Sequence, residues 1–235
     1  MEKQKVAVVT GGAKGIGRAI CEEFKKQGAA VCVIDLLDND YFVGDIAEEK
    51  VLRKFAGKVI KDYGNIDYLI NNACLSKGGL ETCNYDEFNY VLRVGVSAPF
   101  MLTKLFMKHF NPGASIVNIS STRYLMSQAG TESYTAAKGG ITSLTHALAV
   151  TLAGKVRVNS ISPGWIDTGH NEFEGADNTQ HPAGRVGVPA DIVNAVMFLC
   201  DEKSSFITGQ NITVDGGMTK LMIYHNDLGW KYGEQ

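Results

Sequence analysis

Two residue types with acid/base chemistry stand four positions apart in Tyr134-Thr-Ala-Ala-Lys138. Residues i and i+4 share a helical face, so the phenol and the ammonium point into one space. A phenol with its ordinary pKa of about 10 is a poor base at neutral pH. A neighbouring ammonium favours the phenolate and brings the group toward the working range. Taken alone, such a spacing is frequent by chance and reads as an exposed helix pair. Upstream, however, Ser115-Ile-Val-Asn-Ile-Ser-Ser121 reads as a strand that ends in hydroxyls. Ser121 is expected to hold a substrate oxygen near the phenol, with Ser120 as the competitor for that role. The chemistry of such a set is proton exchange with an alcohol or carbonyl oxygen.

A second constellation lies near the start of the chain. Thr10-Gly-Gly-Ala-Lys-Gly-Ile-Gly17 follows a strand-like run and opens a helix-like one. Glycines let the backbone turn sharply and approach a pyrophosphate, and a helix N-terminus offers free N–H groups. Gly11, Lys14, Gly15, Ile16 and Gly17 are the candidate contacts; a plain tight turn is the alternative. About twenty residues on, Asp35 closes the second strand, where a carboxylate accepts ribose hydroxyls and repels a 2′-phosphate. Leu36, Leu37 and Asp38 bring no cation to reverse that choice. NAD(H) is therefore expected over NADP(H), against the alternative of a solvated strand-end Asp.

The elements that must position these groups alternate along the chain. Strands are predicted at Lys5–Thr10, Ala30–Asp35, Tyr68–Asn71, Ser115–Ser120, Val156–Ile161 and Asn211–Val214. Helices are predicted at Gly15–Gln27, Glu48–Tyr63, Asp86–Phe110, Glu132–Ala153 and Pro189–Leu199. Nearly continuous apolar strands alternating with amphipathic helices imply a single-domain α/β fold, a doubly wound parallel sheet with helices on both faces. No composition break divides residues 1–235, so one dinucleotide-binding and catalytic domain is expected. The polar stretch 164–187 has no clear period and reads as a mobile loop or lid.

Bulk properties exclude several function classes. The chain has 235 residues, 45% hydrophobic and 20% charged, with a net charge of −2. That balance offers no basic field for nucleic acid. No apolar run approaches the roughly 20 residues of a membrane span. The N-terminal residues show no signal-peptide pattern. Five scattered cysteines, Cys21, Cys32, Cys74, Cys83 and Cys200, lack metal-ligand spacing. They read as reduced thiols, so no metal and a cytoplasmic location are expected.

Taken in order, these motifs resemble the short-chain dehydrogenase/reductase family, a Rossmann-fold group of NAD(P)-dependent oxidoreductases. The matching residues are Thr10–Gly17, Asn71-Asn72-Ala73, the set Ser121, Tyr134 and Lys138, Ser162-Pro163-Gly164 with Thr168, and Gly209 with Val214-Asp215-Gly216-Gly217. The resemblance spans residues 5 to about 218. It implies that Asn72 and Ala73 pass beside the adenosine, and that Asp45 and Ile46 lie against the adenine. It further implies that Ile166 and Thr168 contact the nicotinamide carboxamide and phosphates, that Lys138 also hydrogen-bonds the nicotinamide ribose, and that Tyr134 also contacts the cofactor. The implied reaction is hydride transfer between NAD(H) and the carbinol or carbonyl carbon of a small or medium secondary alcohol or ketone. The resemblance implies a homodimer or homotetramer, whose helix faces carry small residues such as Ala98, Ala136, Ala137, Gly139 and Gly140.

Several positions depart from the family pattern. Gly95 stands where the family places an Asn whose side chain holds a proton-relay water. Glycine still permits a helix distortion and room for a water on backbone carbonyls. Gly95 also motivates an alternative function, a redox-sensing NAD(H)-binding regulatory protein with little turnover. Cys74 stands where the family has glycine; a packed thiol is expected, with a place on the pocket wall as the alternative. Between Asp35 and Asp45 there is room only for a loop, which predicts a more open adenine side. Arg123 is read either as a ligand for a substrate carboxylate or phosphate or as a surface Arg paired with an acid. Trp165, His170 and Phe173 are candidate substrate-lining residues. The aromatic tail, about residues 218–235, is expected to bury Tyr224, Trp230 and Tyr232 against a neighbouring subunit.

Overall fold

Five consecutive buried residues, Val6–Thr10, form the interior strand β1, flanked by two strands on one side and four on the other. The structure is a computed structural model and describes residues 4–224, 226–229 and 231. In chain order the elements begin β1, α1 (Gly15–Lys26), β2 (Ala30–Asp35), β3 (Phe42–Val43), α2 (Glu49–Tyr63) and β4 (Ile66–Asn71). They continue with α3 (Tyr85–Leu92), α4 (Ala98–Phe106), β5 (Phe110–Ile119), α5 (Glu132–Thr151), β6 (Val156–Pro163), α6 (Ala176–Thr179), α7 (Pro189–Cys200) and β7 (Asn211–Val214). All pairings are parallel, in the order β3-β2-β1-β4-β5-β6-β7. The order reverses between β1 and β4, the switch point at which open α/β sheets place ligands.

Side-chain alternation along each strand separates two cores. Val6 and Val8 of β1 face one side, with Cys32, Ile34 and Ile116, under Leu52, Phe55, Leu102 and Phe106 of α2 and α4. Ala7 and Val9 face the other, with Val33 and Val117, under Ile20, Phe24, Ile192 and Val196 of α1 and α7. Burial of one such aliphatic side chain contributes about 1.5–3 kcal/mol. A sheet buried on both faces thereby fixes its strand register, and with it the heights at which the strand-end side chains emerge.

Several element boundaries differ from expectation. Strand β5 begins at Phe110 rather than Ser115. Asn111-Pro112-Gly113 reads as a turn, yet Phe110 pairs with Ile66, and a register shift between Ile66 and Tyr68 absorbs the irregularity. Strand β6 runs on through Pro163, which pairs with Val214; a proline is tolerated at a strand terminus. The segment after Asp35 contains no helix, but it forms the two-residue edge strand β3, which sequence reading missed. The Asn39 carboxamide oxygen accepts the N–H groups of Tyr41 and Phe42 and so shapes the turn into β3.

The single helix expected over Asp86–Phe110 is two helices joined by a π-helical turn, Arg93–Ser97, and it stops at Phe106. Gly95 lies at the centre of that turn. A Cβ there would lie 2.9 Å from the Cβ of Ala137 on α5. The widened turn and the missing side chain together let this helix pack closely on the one that carries Tyr134. The stretch 164–187 is more ordered than a periodless loop. Ile166 bridges to Gly187, α6 lies within it, and the Asp167 carboxylate accepts N–H groups from Gly169 and Asn171.

Candidate active site

The glycine loop lies where β1 meets α1. A Cβ on Gly17 would sit 2.1 Å from the Gly11 carbonyl oxygen, and one on Gly11 would sit 2.9 Å from the Ala73 Cα. Gly15 has φ +56°, in the left-handed region that favours glycine. The first turn of α1 carries neither a side-chain cap nor an acid. Its N–H groups therefore remain for an anion. The loop is clamped from behind by Thr10 and Asn72. The Thr10 hydroxyl accepts the N–H groups of Asn72 and Ala73, both at 3.0 Å. The Asn72 carboxamide donates to the Gly11 carbonyl at 2.9 Å and to that of Thr10 at 3.1 Å. The clamp was missed in the sequence because its partners are some sixty positions apart.

In front of the loop lies a cleft of about 400 Å³. Of the sequence-expected cofactor residues, Gly11, Lys14, Ile16, Gly17, Asp35, Asp45, Ile46, Asn72, Ala73 and Thr168 line it. Gly15 lies beside it, its Cβ position 3.4 Å from Thr168. Ile166 instead packs against the core under α7, away from the cleft lining. Asp35 is not merely solvated. Its carboxylate accepts the N–H of Ala13 at 2.9 Å and that of Leu37 at 3.0 Å, joining the end of β2 to the glycine loop. Asp45 accepts the Tyr90 hydroxyl at 3.0 Å and the Ala47 N–H at 2.8 Å. Tyr90 also lines the cleft, a role nothing in the sequence signals. The cradle that a Cβ would fill, the uncapped helix end and the strand-end acid together fit a dinucleotide.

The second constellation meets this cleft at Cys74. The thiol is exposed, lines the cleft and adjoins the Tyr134 phenol, so the expected packed thiol is corrected. A small hydrophobe is free to be buried, but the residue after Ala73 here turns outward beyond the end of β4. The Ser120 and Ser121 hydroxyls separate clearly. Ser120 bonds the Thr142 hydroxyl at 2.6 Å and donates to the Lys138 carbonyl at 3.1 Å, so α5 consumes it. Ser121 accepts the Arg123 N–H at 3.2 Å and lies near the phenol, where it acts to lower its pKa. Helix α5 is tied to the sheet by a buried polar chain. Asn71 donates to Asn118 at 2.8 Å, and Asn118 donates to Thr145 at 3.0 Å.

Lys138 is buried. Its ammonium donates to the Ile119 carbonyl at 2.7 Å and lies 5.3 Å from the centre of the Tyr134 ring. Burial pushes the Tyr134 phenol above its ordinary range, and Cys74 adds to that rise. Ser121 and the Arg123 charge pull the other way without prevailing. The net shift therefore runs upward, opposite to the one expected from a neighbouring ammonium, because desolvation is its largest cause; the Lys138 ammonium is bonded to the Ile119 carbonyl. Of the candidate substrate-lining residues, Trp165 packs edge-on against Phe173 at 5.0 Å, whereas His170 is exposed at φ 59°. Tyr224 is 65% exposed; Trp230 and Tyr232 lie outside the described residues. No His/Cys/Asp/Glu cluster able to hold a metal, and no helix long and apolar enough to cross a membrane, occurs among the described residues.

The family model described as enoyl-(acyl carrier protein) reductase matches residues 11–219. The chain is 39% identical to an uncharacterized oxidoreductase of Thermotoga maritima, over 95% of this chain and 99% of that one. It is 32% identical to a 3-oxoacyl-[acyl-carrier-protein] reductase of the same organism, over 91% of this chain and 97% of the relative. Among solved structures, a SCOR enzyme from Clostridium thermocellum is 43% identical, covers both chains completely and superposes with a TM-score of 0.91. The matched span holds the glycine loop, the clamp behind it and the Ser121, Tyr134 and Lys138 cluster, and on that ground the chain belongs to the short-chain dehydrogenase/reductase family of nucleotide-dependent oxidoreductases.

Proposed function

We propose that the protein interconverts a small or medium secondary alcohol and its ketone, with NAD(H) preferred over NADP(H). The observation that carries this reading is the Tyr134 phenol beside the free Ser121 hydroxyl, joined through Cys74 to the cleft under the glycine loop. A nicotinamide dinucleotide in that cleft supplies or accepts the hydride. Gly11 to Gly17 would hold its phosphates, Asp35 its ribose, and Asp45, Ile46, Asn72 and Ala73 its adenosine. Tyr134, Lys138 and Thr168 would hold the nicotinamide end, with Ile166 behind it in the core under α7. Ser121 holds the substrate oxygen, and Tyr134 gives a proton to the ketone or takes one from the alcohol. Lys138 sets the electrostatics of that exchange and reaches the ribose once it leaves the Ile119 carbonyl. Segment 164–187 acts as the lid, the tail reaches a neighbouring subunit of a homodimer or homotetramer, and the enzyme works in the cytoplasm.

The direct test is NAD(P)H oxidation with a panel of ketones. The Asp35 carboxylate places like charge against a 2′-phosphate, so NADH is expected to outperform NADPH in kcat/KM by about 10-fold or more. Equal rates remove the cofactor assignment. Tight NADH binding with no turnover on any ketone would instead favour the regulatory reading, of which Gly95 is the main support.

The phenol also sets a pH dependence. Alcohol oxidation needs the deprotonated phenol, and burial raises its pKa above the ordinary value. The oxidation rate is therefore expected to climb from neutral into alkaline pH. Cys74 is a second cause of the rise, so Cys74→Gly moves that limb to lower pH. A profile of kcat/KM against pH for both proteins checks the sign; a limb that moves upward in the variant contradicts it.

A further inference from the structure

Arg123 follows Ser121 by two residues, within the short 3₁₀ turn Thr122–Tyr124. It is half-buried, and it takes part in no ion pair among the described residues. The reading of a surface Arg paired with an acid therefore finds no partner. The guanidinium instead donates to two neutral oxygens, Thr131 Oγ1 at 3.2 Å and Gln128 Oε1. These contacts fix the plane of the group without neutralising it. A guanidinium has five N–H donors, so donors remain after those two bonds.

This cation lines a separate cavity of about 310 Å³. Gln128 and Gln180 supply its neutral polar groups, and Met218, Leu221 and Ile223 supply an apolar wall. The cavity is anchored to both catalytic segments. One wall begins at Thr122, directly after Ser121, and the Ser127 hydroxyl on another lies 3.2 Å from that of Thr135, directly after Tyr134. The Arg123 charge is felt at the phenol itself.

We infer that the substrate carries a carboxylate on the arm pointing away from its reacting carbon, and that Arg123 binds it in this cavity. The inference rests on the alcohol/ketone reading above and names the substrate class for the same site. Charge count selects a carboxylate. Among the described residues Arg123 is the one charged residue lining the cavity, so it neutralises a monoanion. A phosphate dianion would leave uncompensated charge in a partly enclosed space. The planar guanidinium matches the two carboxylate oxygens. The apolar wall suits a short hydrocarbon spacer.

The test compares pyruvate, acetoacetate and levulinate with their methyl esters, using the NADH-loaded protein, Arg123→Gln and Arg123→Lys. The wild type is expected to favour at least one acid over its ester by about 10- to 100-fold in kcat/KM, the range of a hydrogen bond to a charged group. Arg123→Gln is expected to abolish that ratio through KM rather than kcat, and Arg123→Lys to retain part of it. Equal handling of acids and esters by the wild type overturns the inference. So does a variant that loses acid and ester alike, which marks a purely structural arginine. Preference for a keto phosphate such as dihydroxyacetone phosphate overturns the carboxylate assignment. If no ketone oxidises NADH, the alcohol/ketone reading fails by itself, and calorimetric binding of the same acids and esters to the NADH complex decides this inference. Weaker acid binding in Arg123→Gln supports it, and unchanged binding overturns it.

Discussion

Replacing Tyr134 with Phe is expected to lower kcat by about 10²- to 10⁴-fold, the usual contribution of a positioned acid or base. The variant keeps the ring and its place beside Lys138. It removes only the oxygen that meets Ser121 and Cys74. Even a full hydrogen bond lost there would cost only roughly 1 kcal/mol of stability, so the fold persists and the effect is chemical. Steady-state kinetics with the best ketone, together with an NADH titration, separate the two contributions. A kcat within tenfold of the wild type would remove Tyr134 from the proton-transfer role. Lys138 is a less clean target. Its ammonium satisfies the Ile119 carbonyl inside the protein, so its removal disturbs packing and chemistry together.

Gly17→Ala is expected to be the second most damaging change, and it acts on the cofactor rather than the proton. The new Cβ would lie 2.1 Å from the Gly11 carbonyl oxygen and 2.5 Å from the Asn72 side-chain nitrogen. The first obstacle is backbone, so relief requires the first turn of α1 to move off the loop. Overpacking of this kind costs about 1–3 kcal/mol. A displacement near 1 Å at the phosphate contacts weakens function by about 100-fold. Gly57→Ala on α2 is the matched control, because its Cβ meets nothing within 4 Å. There alanine is expected to stabilise by about 0.5–1 kcal/mol. Thermal unfolding and NADH titration of both variants test the contrast. Gly17→Ala binding NADH like the wild type would show that the loop does not need this glycine.

Both effects trace to features of different legibility. The glycine loop, the strand-end acid and the Tyr134/Lys138 spacing are local patterns, and they are visible because turn geometry and helical periodicity act over a few residues. The π-turn at Gly95 is different. Its need arises from Ala137, more than forty positions away, against which the helix must pack. The edge strand β3 is likewise too short to carry a period, and it forms only because Ile34 and Asp35 offer it a ladder. The early start of β5 through Asn111-Pro112-Gly113 depends on a shift in its neighbour β4.

The sequence by itself determined the α/β class and the parallel sheet, and it picked out the glycine loop and the Tyr134/Lys138 spacing, because each rests on short-range periodicity or on residue chemistry. Only the tertiary structure decided which of two adjacent serines is free. It consumed Ser120 on Thr142 and Lys138, and it left Ser121 to the phenol. Only the tertiary structure turned Cys74 outward onto the cleft, raised the Tyr134 phenol by burial, and left the Arg123 guanidinium facing neutral oxygens. The physical reason is common to all four. Exposure, desolvation and pairing are properties of what surrounds a group in space, and those neighbours come from distant parts of the chain.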